Sequence, residues 1–346
     1  MVRIGDSSLV EKLRNHERGL KGHLKNASNF LVKCQIIEPY VERGVLHGCV
    51  CPWEIGESAD EGAFPILEDY HDTLEAIWVW SLYSKASGDL SFEPNIGWAW
   101  KYIVSNWKRF IGEKRGKGKS LYDCSYVLFS GTTHGTVLDV SGHKGLLLQA
   151  GNRLTEYLAT LESTEGREYY DPFWMVNCLG LAARKLMQER WRKVAETFVE
   201  KTVVDVETPF LRADEEPTHT GPGGHDFFSK NANIALALMS CLGNRKKARE
   251  ILLSKFLPCV PTKFVSRHAD ENAWNAHLAT SLGKAYIITE NLEFLRRFFA
   301  IMNELADRDR EKSAALPRSL SFLRRESWVT FFYANAYVSV TKYLAE

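Results

Sequence analysis

The chain has 346 residues, 45% hydrophobic and 12% aromatic, and a formal net charge of +1. It can bury a large core, and its charge balance offers no basic stripe for nucleic acid: the densest basic run, EKRGKGKS at 113–120, reads as a solvated loop. No stretch holds 18 apolar residues in a row, so no membrane span is expected.

The opening residues MVRIGDSSLVEKLRNHERG lack the apolar run of a secretory signal and lead into a helical stretch, Ser7 to Cys34. A long connection follows, 35–65, carrying CPWEIGE. HDTLEAIWVWSLYSKASG (71–88) then places Leu74, Ile77, Trp78 and Leu82 on one face, yet Val79 and Trp80 fill the other. The helix after it, PNIGWAWKYIVSNWKRFIG, has a single stripe of Ile96, Trp100, Ile103, Trp107 and Ile111, and Pro94 suits its first turn. LYDCSYVLFSG and KGLLLQAGNRLTEYLATLE form a hairpin within 122–164. DPFWMVNCLGLAARKLM (171–187), NANIALALMSCLG (231–243), NAWNAHLATSLGKAYII (272–288) and SWVTFFYANAYVSVTKYL (327–344) are apolar nearly all round. They alternate with the amphipathic stretches 190–203, 245–257 and 291–306.

A helix without a polar face must be surrounded by other protein. The short links SGDLSFE, QE, GN and TE join buried and amphipathic helices into antiparallel hairpins. The buried members begin near 71, 172, 226, 271 and 327; later intervals are about 50 residues and the first is about twice that, as a repeat with one further hairpin would give. Pairing the N-terminal helix with the last one closes a ring of six hairpins over a single domain, 1–346. The starts EDYHDTLEAIW, YYDPFWMVN, GGHDFFSKNAN and ADENAWNAH each open an inner helix with an acid and aromatics. In this the chain resembles the (α/α)6 toroids, a superfamily of six-hairpin glycosidases and polysaccharide lyases with related terpenoid-cyclase and prenyltransferase toroids. The resemblance implies an all-α toroid with one central cleft.

In such a ring the inner-helix starts point to one mouth, bringing Asp72, Asp171, Asp226, Asp270 with Glu271, and Glu326 together. The long connections 35–65, 130–143, 204–225 and 257–270 feed the same rim. Each acid alone reads as a helix cap. Converging acids, in contrast, shift one another's protonation and supply an acid and a base. Asp72, flanked by Tyr70 and His71, and Asp226, preceded by His225 on the Gly221–Pro222–Gly223–Gly224 loop, are the expected catalytic pair. Gly223 and Gly224 let backbone N–H groups approach a ligand. His225 and His134, the latter in SGTTHGT, would orient substrate or share protons. Trp53 and Glu54 form a candidate lip with Trp53 as stacking wall, Glu271 joins the substrate contacts, and His277 reads as a core histidine.

Seven cysteines, an odd number, with Cys178 and Cys241 inside apolar runs, point to a reducing, cytoplasmic compartment. His47 with Cys49 and Cys51 lacks the second half of a zinc site, so neither metal nor cofactor is expected. The leading function is carbohydrate-active: hydrolysis or elimination at a glycosidic bond of a small-molecule or oligosaccharide ligand, with no nucleic-acid or membrane partner. Two alternatives stay open. A terpenoid-cyclase or prenyltransferase-like toroid would line an apolar cleft with Trp78, Trp80, Phe173 and Trp174; a non-enzymatic ligand-binding toroid would use its acids only as caps. Substrate identity and oligomeric state are not fixed by the sequence.

Overall fold

The computed structural model describes residues 4–37, 46–54, 71–111, 117–132, 143–161, 171–211, 227–266, 270–322 and 324–341. In chain order the helices are α1 (Ile4–Cys34), α2 (His71–Ser87), α3 (Glu93–Phe110), α4 (Lys117–Thr132), α5 (His143–Ala159), α6 (Pro172–Lys185), α7 (Glu189–Val199), α8 (Phe227–Cys241), α9 (Arg245–Ile251), α10 (Glu271–Thr289), α11 (Leu292–Arg308) and α12 (Ser327–Val338). The even-numbered helices form a closed ring: each packs on the next, and α12 returns to α2. The odd-numbered helices lie outside, α1 against α12 and α2, α5 against α4 and α6, α7 against α6 and α8, α9 against α8 and α10, and α11 against α10 and α12. α3 covers α2. Among the described residues no helix is long and apolar enough to cross a membrane.

The burial pattern follows from the sequence pattern. Every residue of α2 from Asp72 to Ser84 is buried, whereas α7 buries only Trp191, Ala195, Phe198 and Val199. LYDCSYVLFSG, short as it is, takes the inner place as part of α4, with α5 outside it. Links of three residues or fewer (186–188, 242–244 and 290–291) turn an inner helix into its outer partner; Asn244 and Asn291 cap the helices they precede.

The centre of the ring is an aromatic floor. Trp78 of α2 stacks on Phe129 of α4 at 5.6 Å and meets Phe331 of α12 edge-on at 5.3 Å. Trp174 of α6 lies 5.2 Å from both Tyr126 and Phe129. Phe332 meets His277 of α10 at 5.0 Å. Rings from five inner helices thus fill the axis, each contributing roughly 1.5–3 kcal/mol of burial plus pairwise ring contacts. Trp80 and Phe173 face the other way: Trp80 Nε1 donates 3.1 Å to the Ser28 carbonyl of α1, and Phe173 packs on Phe198 of α7. They lock inner to outer helices.

α1 closes the ring through one tyrosine. Tyr337 of α12 lies stacked between His16 (3.8 Å) and His23 (4.0 Å), and His16 Nε2 donates 2.7 Å to the Tyr337 carbonyl. Gly19 makes room, since a Cβ there would stand 2.6 Å from the Tyr337 hydroxyl. Phe298 and Phe299 of α11 box in His16 from the side. Burial pushes His16 down to about 4, against the pull of its bond to Tyr337. Burial, then the neighbouring His16, pushes His23 down to about 3. Both folded values lie below the free value of 6.5, so the unfolded chain takes up protons first. Stability is therefore full above about pH 6.5 and declines toward pH 4 with a slope of up to about 2.7 kcal/mol per pH unit from two protons. Thermal unfolding between pH 7 and 4.5 should show the midpoint falling, and His16→Phe with His23→Phe should flatten that fall. An equal pH slope in the double variant refutes the clamp.

Candidate active-site mouth

One end of the ring gathers the starts of α2, α6, α10 and α12. The segment before α2 stitches the first and last of these together. Gly48, at φ +91° with its Cα against the Trp98 carbonyl, turns the chain so that Cys49–Trp53 crosses the helix ends. Val50 N–H donates to Thr73 Oγ1 at 2.9 Å, and the Pro52 carbonyl accepts from Ser327 N–H at 2.7 Å. Asp72, 2% exposed, accepts 2.7 Å from the Ser327 hydroxyl, so its carboxylate is oriented by α12. Burial first, with Asp72's charge assisting, pushes the thiols of Cys49 to about 11 and Cys51 to about 12, which keeps both protonated.

One turn deeper, Glu75 is 1% exposed. It shares the inward face of α2 with Trp78 and lies near Tyr126, whose phenol is pushed well above its ordinary range by burial first, then by the neighbouring Tyr122 and Glu75. His71 stacks on Tyr126 at 5.4 Å. A second polar line crosses the opposite wall. Asp171 caps α6 by accepting 2.8 Å from Phe173 N–H, and its other oxygen accepts 2.9 Å from Asn233 Nδ2 of α8. Asn233 Oδ1 in turn accepts 2.7 Å from His277 Nε2, which fixes the tautomer of that buried ring.

The remaining acids are held by cations. Glu326 accepts from Arg318 Nε at 2.8 Å with both oxygens, and from Trp328 Nε1. Glu271 pairs with Arg308 and accepts 2.7 Å from Ser266. Glu54 pairs with Lys33 at 3.1 Å and Arg325 at 3.2 Å, while Arg324 lies 4.0 Å over the Trp53 ring. Glu326 and Asp270 occupy N-cap positions without making a cap bond. Capping therefore accounts for Asp171 but not for these two.

Of the residues singled out from the sequence, the structure places His71, Asp72, Trp53, Glu54 and Glu271 at this end of the ring. Tyr70, His134, Gly223, Gly224, His225 and Asp226 lie outside the described residues. The apolar-cleft alternative is corrected in part: Trp78 and Trp174 line the axis, Trp80 and Phe173 do not. Sequence reasoning passed over Glu75, Tyr126, Asn233 and Arg318. Glu75 carried a readable signal, being a lone carboxylate inside a helix with no polar face. No group of three His, Cys, Asp or Glu among the described residues could hold a metal ion.

No protein-family profile matches the chain, and no curated protein matches it. A solved structure does: the GH76A alpha-1,6-mannanase from Salegentibacter sp. HEL1_6 superimposes with a TM-score of 0.57 over 93% of this chain and 99% of that one, at 9% identity. The fold is an (α/α)6 toroid. At that identity the likeness speaks for architecture, and the toroid's mouth is the end where acids, aromatics and the 46–54 segment meet.

The cap at Asp171 is the local anchor of this polar line. Asp171→Ala removes the cap and strands Asn233, and should destabilise the protein by about 1–3 kcal/mol in a denaturant titration. A change under about 0.5 kcal/mol would show that the line is not structural.

Proposed function

We propose that this toroid hydrolyses a glycosidic bond at the mouth. The observation that carries the reading is the pairing of buried carboxyls with an aromatic floor on the ring axis: Asp72 and Glu75 on α2 stand over Trp78, Tyr126 and Trp174. The toroid's likeness to a structure named as an alpha-1,6-mannanase supports it. Asp226 directly precedes α8 in the sequence, and in the ring α8 stands opposite α2. A carboxyl there complements those of α2 from the far side of the bound sugar.

One carboxyl protonates the leaving oxygen, and a second, ionised, carboxyl stabilises the developing positive charge at the anomeric carbon or activates water. Tyr126, held protonated, stands beside Glu75, and the Ser327 hydroxyl donates to Asp72 and orients it. His71 stacks at the lip, and Trp53 forms a wall. Glu54 and Glu271 flank the substrate; Tyr70, Gly223, Gly224 and His225 lie outside the described residues, and His134 follows Thr132, the last residue of α4, so it is not carried into this site. The ligand is an oligosaccharide. The cysteines are free thiols, six of them buried, which supports a reducing compartment.

The test is turnover of a panel of aryl glycosides and oligosaccharides by the purified protein. Asp72→Asn and Glu75→Gln should each lower kcat about 10²–10⁴-fold while the unfolding midpoint moves by only a few degrees. Unchanged turnover in both variants, or loss of folding in both without any effect attributable to chemistry, defeats the reading.

A further inference from the structure

The wall of the mouth between α10 and α12 carries a feature that none of the acids explains. The connection from Ala315 to Glu326 is pinned at several points. Pro317 and Arg325 form an antiparallel bridge, and Glu326 N–H donates 3.1 Å to the Leu316 carbonyl. Asn272, in the first turn of α10, donates its Nδ2 to the Pro317 carbonyl at 2.8 Å and its backbone N–H to the Arg318 carbonyl at 2.9 Å. Arg318 is therefore rigidly placed. Its Nε–H is taken up by Glu326, yet the nearest other carboxylate, Asp270, lies 3.9 Å from Nη1, beyond hydrogen-bond length. Among the described residues nothing accepts a hydrogen bond from the terminal amino groups of this side chain, which is 38% exposed.

Around these donors stand flat apolar faces. The guanidinium lies 5.7 Å from the Trp328 ring and 5.8 Å from that of Phe322, which is 43% exposed. Trp328 and Trp274 are partly exposed, with ring centres 6.0 Å apart and planes tilted by 54°. Donors in a fixed fork, the Asp270 carboxylate one step away, and inclined aromatic planes suit a ring with an apolar face whose edge carries either adjacent hydroxyls or a carboxylate.

The charge around the site narrows that class. Arg318 faces Glu326, Asp270 and, further off, Asp72. Arg308 is already paired with Glu271 and Glu304, and Arg325 with Glu54 and Glu311. Among the described residues, a sugar carboxylate entering here meets more fixed negative charge than unpaired positive charge, and like charges at close range repel. A neutral ring meets no such penalty.

We propose that Arg318, Asp270, Trp328 and Trp274 form a sugar subsite that selects a neutral pyranose with adjacent hydroxyls over a uronate. The proposal rests on the glycan reading above and names the substrate class of the same mouth. Arg318 acts in specificity, through binding, and takes no part in bond cleavage.

The experiment titrates the full chain with mannotetraose, cellotetraose and tetragalacturonate, reading tryptophan fluorescence and calorimetric heat, and assays cleavage of each in parallel. At least one neutral tetrasaccharide should bind. Arg318→Lys keeps a cation beside Glu326 but loses the fork, and should raise its Kd about tenfold. Phe322→Ala, at an exposed position, should fold normally and weaken binding less. Tetragalacturonate bound more tightly than both neutral sugars, or binding unaffected by Arg318→Lys, overturns the subsite while leaving hydrolysis to be judged by cleavage. Neutral binding that depends on Arg318, with no cleavage of any sugar, upholds the subsite and defeats the hydrolase reading. No binding of any of the three defeats the subsite.

Discussion

The wrapping of one set of helices by another governs this molecule. An inner helix such as α2 or α10 has no face fit for water, so it exists as a helix only when neighbours cover it on every side. Six such helices satisfy one another laterally by closing on themselves, and the amphipathic helices cover the outside. Closure then fixes geometry that no single helix possesses. The inner helices run in one direction, α4 after a link of only six residues (111–116), so their first turns share one end of the ring. The polar residues at those turns meet because the apolar residues below them have nowhere else to go.

That arrangement explains why the mouth is rich in cross-links between helices. A carboxylate at an isolated helix start bonds to its own backbone, as Asp171 does with Phe173. In the ring, a neighbouring helix start lies within side-chain reach. Asp72 is met by Ser327 of α12, Asp171 by Asn233 of α8, and Glu271 by Arg308 of α11. The first two bonds join neighbouring inner helices of the ring and the third ties α10 to the outer helix that follows it, so the mouth is organised by the closed ring as a whole. Side chains fixed from two helices at once are what positioned chemistry demands, because misplacement by about 1 Å can cost about a hundredfold in rate.

The architecture was legible in the residues because burial leaves a periodic trace. All-round apolarity against a single stripe separated inner from outer helices, and the doubled interval after residue 71 announced the hairpin that became α4 and α5. Which way an individual tryptophan points was not legible. In a helix buried on all sides, Trp78 and Trp80 look equivalent; only the neighbours decide that one joins the axis and the other bonds α1. Glu75 was overshadowed by Asp72 because a capping position attracts attention and a mid-helix acid does not. Arg318 lies in an irregular connection, and its partners Asn272 and Glu326 come from two different helices. Pattern along the chain carries no record of such a meeting. Periodicity also has no grip on the connections: the stretch expected to feed the mouth at 130–143 follows the end of an inner helix, α4, and not the start of one.

The division between floor and wall bears on how a sugar would be held. The floor is made of rings from α2, α4, α6, α10 and α12 packed edge to face, with Glu75 and Tyr126 set into it. Water is excluded there, so a charge developing in a bound ligand would interact strongly with nearby carboxyls. The α10–α12 wall differs: Trp274, Trp328 and Arg318 are partly exposed, with Trp328 Nε1 and Arg318 Nε both donating to Glu326. A dry floor suits bond cleavage and a wet aromatic wall suits recognition. Both are consequences of depth along the same inner helices, since the first turn of α12 supplies Trp328 to the wall and the next turn supplies Phe331 and Phe332 to the floor. One turn of helix, about 5.4 Å, separates the two environments.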